Sequence, residues 1–246
     1  MHVFRNFTIR FVMLTILGIF CLMWAAAGLY SSWALSRVAD GNEVDRQLVK
    51  QMTVLSQGND QYFRFVTRLT RAMDVQAAGG TADLSAVQQA LETMSSKLDE
   101  MKAMSPGPMD AQISSQVIAN WQALLENGVK PQFQLAQQGN LDAYRQQANN
   151  VTPPLSRAFG ESAGQFNKAA DSILDSTRVT VDGMTSTTRT VIITATIIGL
   201  LILLFADRYL VAMLVKPLDQ IRHHFRQIAQ GDLSQPIVPF GRNSVG

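Results

Sequence analysis

The sequence predicts an all-α membrane protein: two transmembrane helices, an antiparallel four-helix bundle between them, and a helical segment after the second span. Three observations predict it. Residues 11–30 (FVMLTILGIFCLMWAAAGLY) and 190–206 (TVIITATIIGLLILLFA) are uncharged apolar runs long enough to cross a bilayer as helices. The region between them carries apolar residues at three- and four-residue steps, with no alternating strand pattern. Glycine and proline clusters divide that region into four segments with short connections, the signature of an up-down-up-down bundle.

Composition narrows the function. Of 246 residues 47% are hydrophobic and only 16% charged, and the apolar excess sits in the two runs. A formal net charge of +2, with no basic stretch interleaved with aromatics, argues against nucleic acid as a partner. The single cysteine, Cys21, lies inside the first run. It excludes an intramolecular disulfide and any metal site built from several thiolates, and it reads as a small lipid-facing residue.

The first run follows Arg5 and Arg10. A signal peptide cut near Ala25-Ala26-Ala27 is the alternative, but the apolar core is too long for one and the helical pattern continues past the cut. The reading is an uncleaved span over residues 11–33. Arg208, Lys216, Arg222 and Arg226 follow the second span, 190–215. Positive charge at the outer end of each span puts both termini in the cytoplasm and residues 34–189 in the periplasm of a bacterial inner membrane.

Within the outer region the first helix continues out of the membrane from Tyr30 and ends at Ala78-Gly79-Gly80-Thr81. The second, residues 83–104, carries Leu84, Val87, Leu91, Met94, Leu98 and Met101 on one stripe, and Ser105-Pro106-Gly107-Pro108 follows as a loop. The third, from Asp110 to about Gln138, carries Ile113, Val117, Trp121, Leu124 and Leu125; Asn127-Gly128 and Pro131 should kink or interrupt it. Residues 139–154 read as a softer stretch. The fourth helix then runs from about Leu155 into the second span. Helices one and four are thus continuous with the spans, so movement in the bundle should reach the membrane.

After the second span, Pro217 opens an apolar stripe of Leu218, Ile221, Phe225 and Ile228, followed by Gly231-Asp232-Leu233, Pro236-Ile237 and Pro239. This resembles the HAMP linker of bacterial transmembrane receptors. The resemblance implies a signal relay with Pro217 at the helix start and Gly231, Asp232 and Leu233 in its turn. An amphipathic helix on the lipid surface, suited by Arg222, His223, His224 and Arg226, would leave the Gly-Asp-Leu turn unexplained. His223 and His224 are adjacent on a helix, point about 100° apart and make a poor chelate. The family opens its second HAMP helix with an acidic residue before an apolar residue and glycine; Ser244 stands there instead. The expectation is a sensor with a partial HAMP segment (216–246) and no output domain, a fragment or a truncated gene product.

The order of parts resembles the methyl-accepting chemotaxis receptors of the aspartate and serine receptor type. Leu69-Thr70-Arg71-Ala72 is similar to that family's Leu-x-Arg-Ala on the first outer helix, and Thr152, seven residues before Phe159, to its ligand-binding threonine. The resemblance implies a homodimer in which three arginines of helix one, drawn from both subunits, hold a carboxylate. Arg71 matches the second of them, while the first falls on Val66 and the third on Val75.

The residues offer a substitute set. Arg64, Arg68 and Arg71 are spaced i, i+4, i+7 and share one helix face, where they repel one another unless an anion intervenes. The alternative is neutralisation by Asp60, Asp74 or Glu161, or plain solvation. The candidate ligand-binding residues are therefore Arg64, Arg68, Arg71 and Thr152, with Tyr62, Phe63 and Phe65 as an apolar wall or as core.

No catalytic residue, metal ligand or cofactor is expected: the outer region lacks histidine and cysteine, and its carboxylates are scattered. The implied partners are a small anionic ligand, a second copy of the chain and membrane lipid, with the chemotaxis kinase and coupling protein reached through a further cytoplasmic domain. Two alternatives stay open. One is the sensory half of a histidine kinase or cyclic-dinucleotide enzyme; the other is a membrane-anchored helical scaffold for a protein partner.

Overall fold

Helix α1 spans Ile9–Ala77, 69 residues without a break. The computed structural model describes residues 9–212 and Arg226. No proline occurs before Pro106, so nothing in α1 removes a backbone donor or clashes with the preceding turn. The helix stops where Gly79 takes a φ of 87°. There the Gly80 N–H reaches the Val75 carbonyl and the Gly79 N–H reaches Gln76, both at 3.0 Å, which satisfies two terminal carbonyls.

Helix α2, Ser85–Ala103, starts beside Asp83, whose carboxylate accepts from the Ser85 N–H at 2.9 Å. That bond holds the Asp83 carboxyl below its ordinary value. Helix α3, Ala111–Ala123, is capped by Asp110, which accepts from the N–H groups of Gln112 and Ile113 at 2.7 and 3.2 Å. Between them, Gln51 of α1 donates its amide to the Ser105 carbonyl at 2.8 Å and ties down the proline-containing loop.

The third expected helix is interrupted, as Asn127-Gly128 and Pro131 predicted, but the interruption stays helical. It is a π-helical segment, Leu124–Val129, followed by α4, Lys130–Gln137. Pro131 has no N–H to give the Asn127 carbonyl, and its ring crowds that carbonyl in an α-helix. The wider turn relieves the crowding. The freed Asn127 carbonyl is taken by the Gln147 side-chain amide at 2.8 Å, which also approaches the Gly128 carbonyl at 3.3 Å.

Residues 139–154, expected to be soft, are helical. Gly139, at φ 69°, ends α4, and Asn140 caps α5, Leu141–Gln146. A second π-helical segment, Gln147–Val151, leads directly into α6, Thr152–Leu210. The fourth helix therefore begins at Thr152 and not near Leu155. Pro153 and Pro154, which read as breakers, lie in its first turn. The N–H groups they lack would have met the carbonyls of Asn149 and Asn150, so the π segment again lies immediately upstream of proline.

One compact unit is formed by Val38–Asp182. Its core gathers Leu48, Leu55, Phe65 and Leu69 of α1 with Met94, Leu98 and Met101 of α2, Trp121 of α3, and Phe159 and Phe166 of α6. Each such side chain contributes roughly 1.5–3 kcal/mol on burial. Trp121 is the pivot. Its indole packs on Phe159 with ring centroids 5.4 Å apart and lies so close to Gly58 that a Cβ there would come within 2.0 Å of the ring. The apolar stripes read from the sequence coincide with this core, with Leu84, Leu91 and Ile113 at its margin.

The other unit gathers the chain before Val38 and after Asp182. Both of its helical stretches are long and apolar enough to cross a membrane, with mean hydropathy of 1.9 and 2.3 over their most apolar windows. Leu17, Leu22, Leu29, Ile197, Leu201 and Leu204 are exposed, as is Cys21. Such surfaces suit lipid and not water. Gly199 lets Phe20 and Met23 approach the second stretch closely. Pro217, Gly231, Asp232 and Leu233, the relay residues expected from the sequence, lie outside the described residues.

Candidate functional site

Inside the bundle unit a cavity of about 390 Å³ opens between α1 and the segment that runs from α4 into α6. One wall is a stripe of α1: Tyr62, Val66, Thr70, Met73, Asp74 and Ala77. These residues recur at three- and four-residue steps and so face one way. The opposite wall comes from Tyr144 and Arg145 of α5, Ala148 and Asn149 of the second π segment, and Thr152 and Pro153 at the head of α6. Gln132 of α4 lines it as well.

The interior is polar. Thr152 is 2% exposed and donates its hydroxyl to the Gln132 side-chain oxygen at 2.8 Å. Gln132 itself is 3% exposed, and Tyr62 and Tyr144 are 7% exposed. Among the described residues no hydrogen bond is made by either phenol hydroxyl or by the Gln132 amide nitrogen. Asp74 and Arg145 are exposed and line the same cavity without an ion pair to each other or to any described residue. The cavity thus offers donors from three buried side chains, one cation and one carboxylate.

The sequence-derived residues divide. Thr152 lines the cavity, but Arg64, Arg68 and Arg71 do not. At about 100° per residue their stripe lies about 150° around α1 from the cavity stripe. Arg64 pairs with Asp60 at 2.7 Å, both half exposed, one of the neutralisations weighed above. Arg68 donates to the Ala86 carbonyl at 2.9 Å. Arg71 is exposed and has no hydrogen bond or ion pair among the described residues. The three aromatics divide too: Phe65 is core, Tyr62 lines the cavity and Phe63 is 58% exposed. Within one copy of the chain, Arg71 does not line the cavity that Thr152 lines.

Sequence reasoning missed Tyr144, Arg145 and Asn149, because 139–154 read as a softer stretch with no facing direction for its side chains, and it missed Gln132, which lies off the apolar stripe read for the third helix. The signal was the spacing of Pro131 and Pro153 behind Asn127 and Asn149. Each proline leaves a carbonyl without its helical donor, and Gln147 takes the one freed at Asn127. Among the described residues no group of three or more His, Cys, Asp or Glu side chains is placed to hold a metal.

Comparison with known proteins gives a consistent set of likenesses. Residues 3–171 match the family described as Tar ligand binding domain homologue, and residues 209–246 match the HAMP domain. Over 51 residues the chain is 49% identical to a methyl-accepting chemotaxis aspartate transducer of Klebsiella aerogenes; the match covers 21% of this chain and about a tenth (10%) of that protein. The 2.0 Å crystal structure of an N-terminal ligand-binding domain assigned to a methyl-accepting chemotaxis protein of Salmonella enterica is 64% identical. It superposes with a TM-score of 0.53, covering 54% of this chain and 98% of that one.

Proposed function

The chain belongs to the Tar ligand binding domain homologue family, and on that premise we propose that it is the sensory half of a homodimeric chemotaxis receptor in a bacterial inner membrane. The outer bundle (34–189) stands in the periplasm, both termini in the cytoplasm, and the segment 216–246 begins the HAMP relay. The chain senses and relays without catalysing a reaction. Its output reaches the chemotaxis kinase and coupling protein through a further cytoplasmic domain.

The observation that carries this reading is α6. Its first residue, Thr152, sits in the cavity wall, and the same unbroken helix contains the second apolar stretch. A ligand that favours one position of the head of α6 then biases the whole helix, by a displacement on the order of 1–2 Å. It must bind the two positions with different affinity, or it shifts nothing.

The ligand is a small carboxylate, and Arg71 takes part in holding it. Arg71 makes no hydrogen bond or ion pair with a described residue of its own copy and faces away from the cavity of that copy. A twofold axis along α1 puts one flank of this helix beside the opposite flank in the other copy, so Arg71 of a second copy reaches the mouth of the cavity that Thr152 lines. Arg64 and Arg68 lie on the same flank and add positive potential.

The test is calorimetric titration of the full chain in lipid nanodiscs with a panel of organic acids and amino acids, repeated with Arg71→Ala. A carboxylate should bind and lose at least about tenfold in affinity in the variant, as expected for a lost charged hydrogen bond. A folded, dimeric chain that binds nothing in the panel would defeat the reading.

A further inference from the structure

We propose that Arg145, Tyr144 and Asp74 set the specificity of the cavity for singly charged acids that also carry an O–H or N–H donor, and against dianions. The inference rests on the reading of the chain as a ligand sensor, but it concerns residues on both walls of the cavity and a different property, the choice among acids.

Three buried side chains bring polar groups to the cavity lining. Tyr62, Tyr144 and Gln132 are each more than nine-tenths buried, all line the cavity, and the two hydroxyls and the amide nitrogen have no protein partner among the described residues. None of these three atoms is sealed from solvent without a partner, so each is free to donate to a guest that displaces water from the cavity. The Gln132 oxygen is already occupied by Thr152, which leaves its amide as a donor. Arg145, lining the same cavity, adds a guanidinium with a fork geometry that matches a carboxylate. The interior is therefore built for an acceptor-rich guest with an acid group.

Asp74 supplies the discrimination. It lines the same cavity, and no described cation neutralises it. A second carboxylate on the guest would meet this charge in a partly desolvated space, where like charges repel strongly. A hydroxyl or ammonium would instead donate to it. Arg145 and Tyr144 on one wall thus reward an acid group, while Asp74 on the α1 wall rewards a donor and penalises a second carboxylate.

Neither charge is explained by folding. Arg145 and Asp74 make no ion pair or side-chain hydrogen bond with any described residue, and the α5 N-terminus is already capped by Asn140. Tyr144 packs its ring into the core while its hydroxyl makes no hydrogen bond with a described residue.

The experiment uses the full chain in lipid nanodiscs, titrated calorimetrically with glycolate, glycerate, serine, succinate and malonate. Wild type should bind at least one of the first three at least about tenfold more tightly than the two dianions. Tyr144→Phe, which removes a single oxygen and keeps the ring packing, and Arg145→Gln should each weaken the preferred acid by about tenfold. Asp74→Asn should improve succinate relative to that acid by about tenfold, a loss of preference that a merely structural role would not produce.

Wild-type binding that Tyr144→Phe and Arg145→Gln change by less than about twofold overturns this inference, while leaving the sensor reading intact if Arg71→Ala still abolishes binding. Tighter binding of a dianion by wild type overturns it as well. Failure of every acid to bind a folded, dimeric chain overturns both.

Discussion

Between residues 60 and 77 helix α1 presents two faces of opposite character. One carries Arg64 and Arg71 exposed and Arg68 half-buried; the other carries Tyr62, Val66, Thr70 and Asp74 along an open cavity. The arginine face is locally satisfied at Arg64 and Arg68 and open at Arg71. On the cavity face Tyr62 is buried, Thr70 donates to the Val66 carbonyl at 2.8 Å, and Asp74 is exposed without an ion pair among the described residues. A helix exposed on one side and buried on the other builds half of a site inside its own copy and leaves the complementary charge for another copy. That division is why a stripe of arginines, however regular, does not by itself locate a pocket.

The comparison breaks most completely if the cavity face loses its support. Trp121→Ala should cost about 3–5 kcal/mol, since it removes a fully buried indole packed on Gly58 and Phe159. Urea unfolding followed by circular dichroism should record it, and the cavity should go with the bundle while the exposed arginine face changes little in composition.

Within the arginine face the contrast is between neighbours. Arg71→Ala should lower carboxylate affinity by at least about tenfold, whereas Arg64→Ala should change it less than about twofold because Asp60 already holds that guanidinium at the surface. Side-by-side titrations decide it, and equal losses would mean that the whole stripe acts as one field.

On the cavity face, Gln147→Ala should cost about 1 kcal/mol by leaving the Asn127 carbonyl without its partner. Hydrogen exchange should then accelerate at the amides around residues 124–131 and 147–155 together, because one side chain joins the two π segments. Acceleration at only one of them would mean the segments are independent. Asp110→Ala serves as the reference far from both faces. It should also cost about 1 kcal/mol, through the lost cap of α3, without altering which acid is preferred.

The smallest effect is that of pH. Ser85 holds the Asp83 carboxyl below its ordinary 3.8, and Gln47 followed by Arg46 holds Glu43 below 4.5; Lys97 does the same for Glu100. Groups lowered in the folded state contribute stability that is fully present above the ordinary values and fades as the pH falls through the lowered ones. The urea midpoint should be flat down to about pH 5 and decline below about pH 4. Replacing all three with their amides should flatten that decline.

The legible part of the molecule is the part governed by periodicity. The stripes Val87, Met94, Leu98 and Val117, Trp121, Leu124 are core residues because a 3.6-residue repeat leaves one face for burial, and that repeat is visible in a list of letters. The glycine stop at Gly79 and the loop at Ser105-Pro106 are equally local. The cavity wall was not legible, because proline at 131, 153 and 154 reads locally as an end of helix. Its actual consequence is a widened turn, which depends on a carbonyl finding a partner 20 residues away.

The sequence by itself determined the two apolar spans, the helical bundle and the positions of the charged stripe, since each follows from composition and spacing along one element. Only the tertiary structure decided that Thr152 is buried against Gln132, that Asp74 shares a cavity with Arg145, and that the arginines look the other way. The physical reason is that helical spacing says which residues share a face but not what that face meets. Packing of α1 against α5 and the head of α6 settles that, through volumes and hydrogen bonds between residues far apart in the chain.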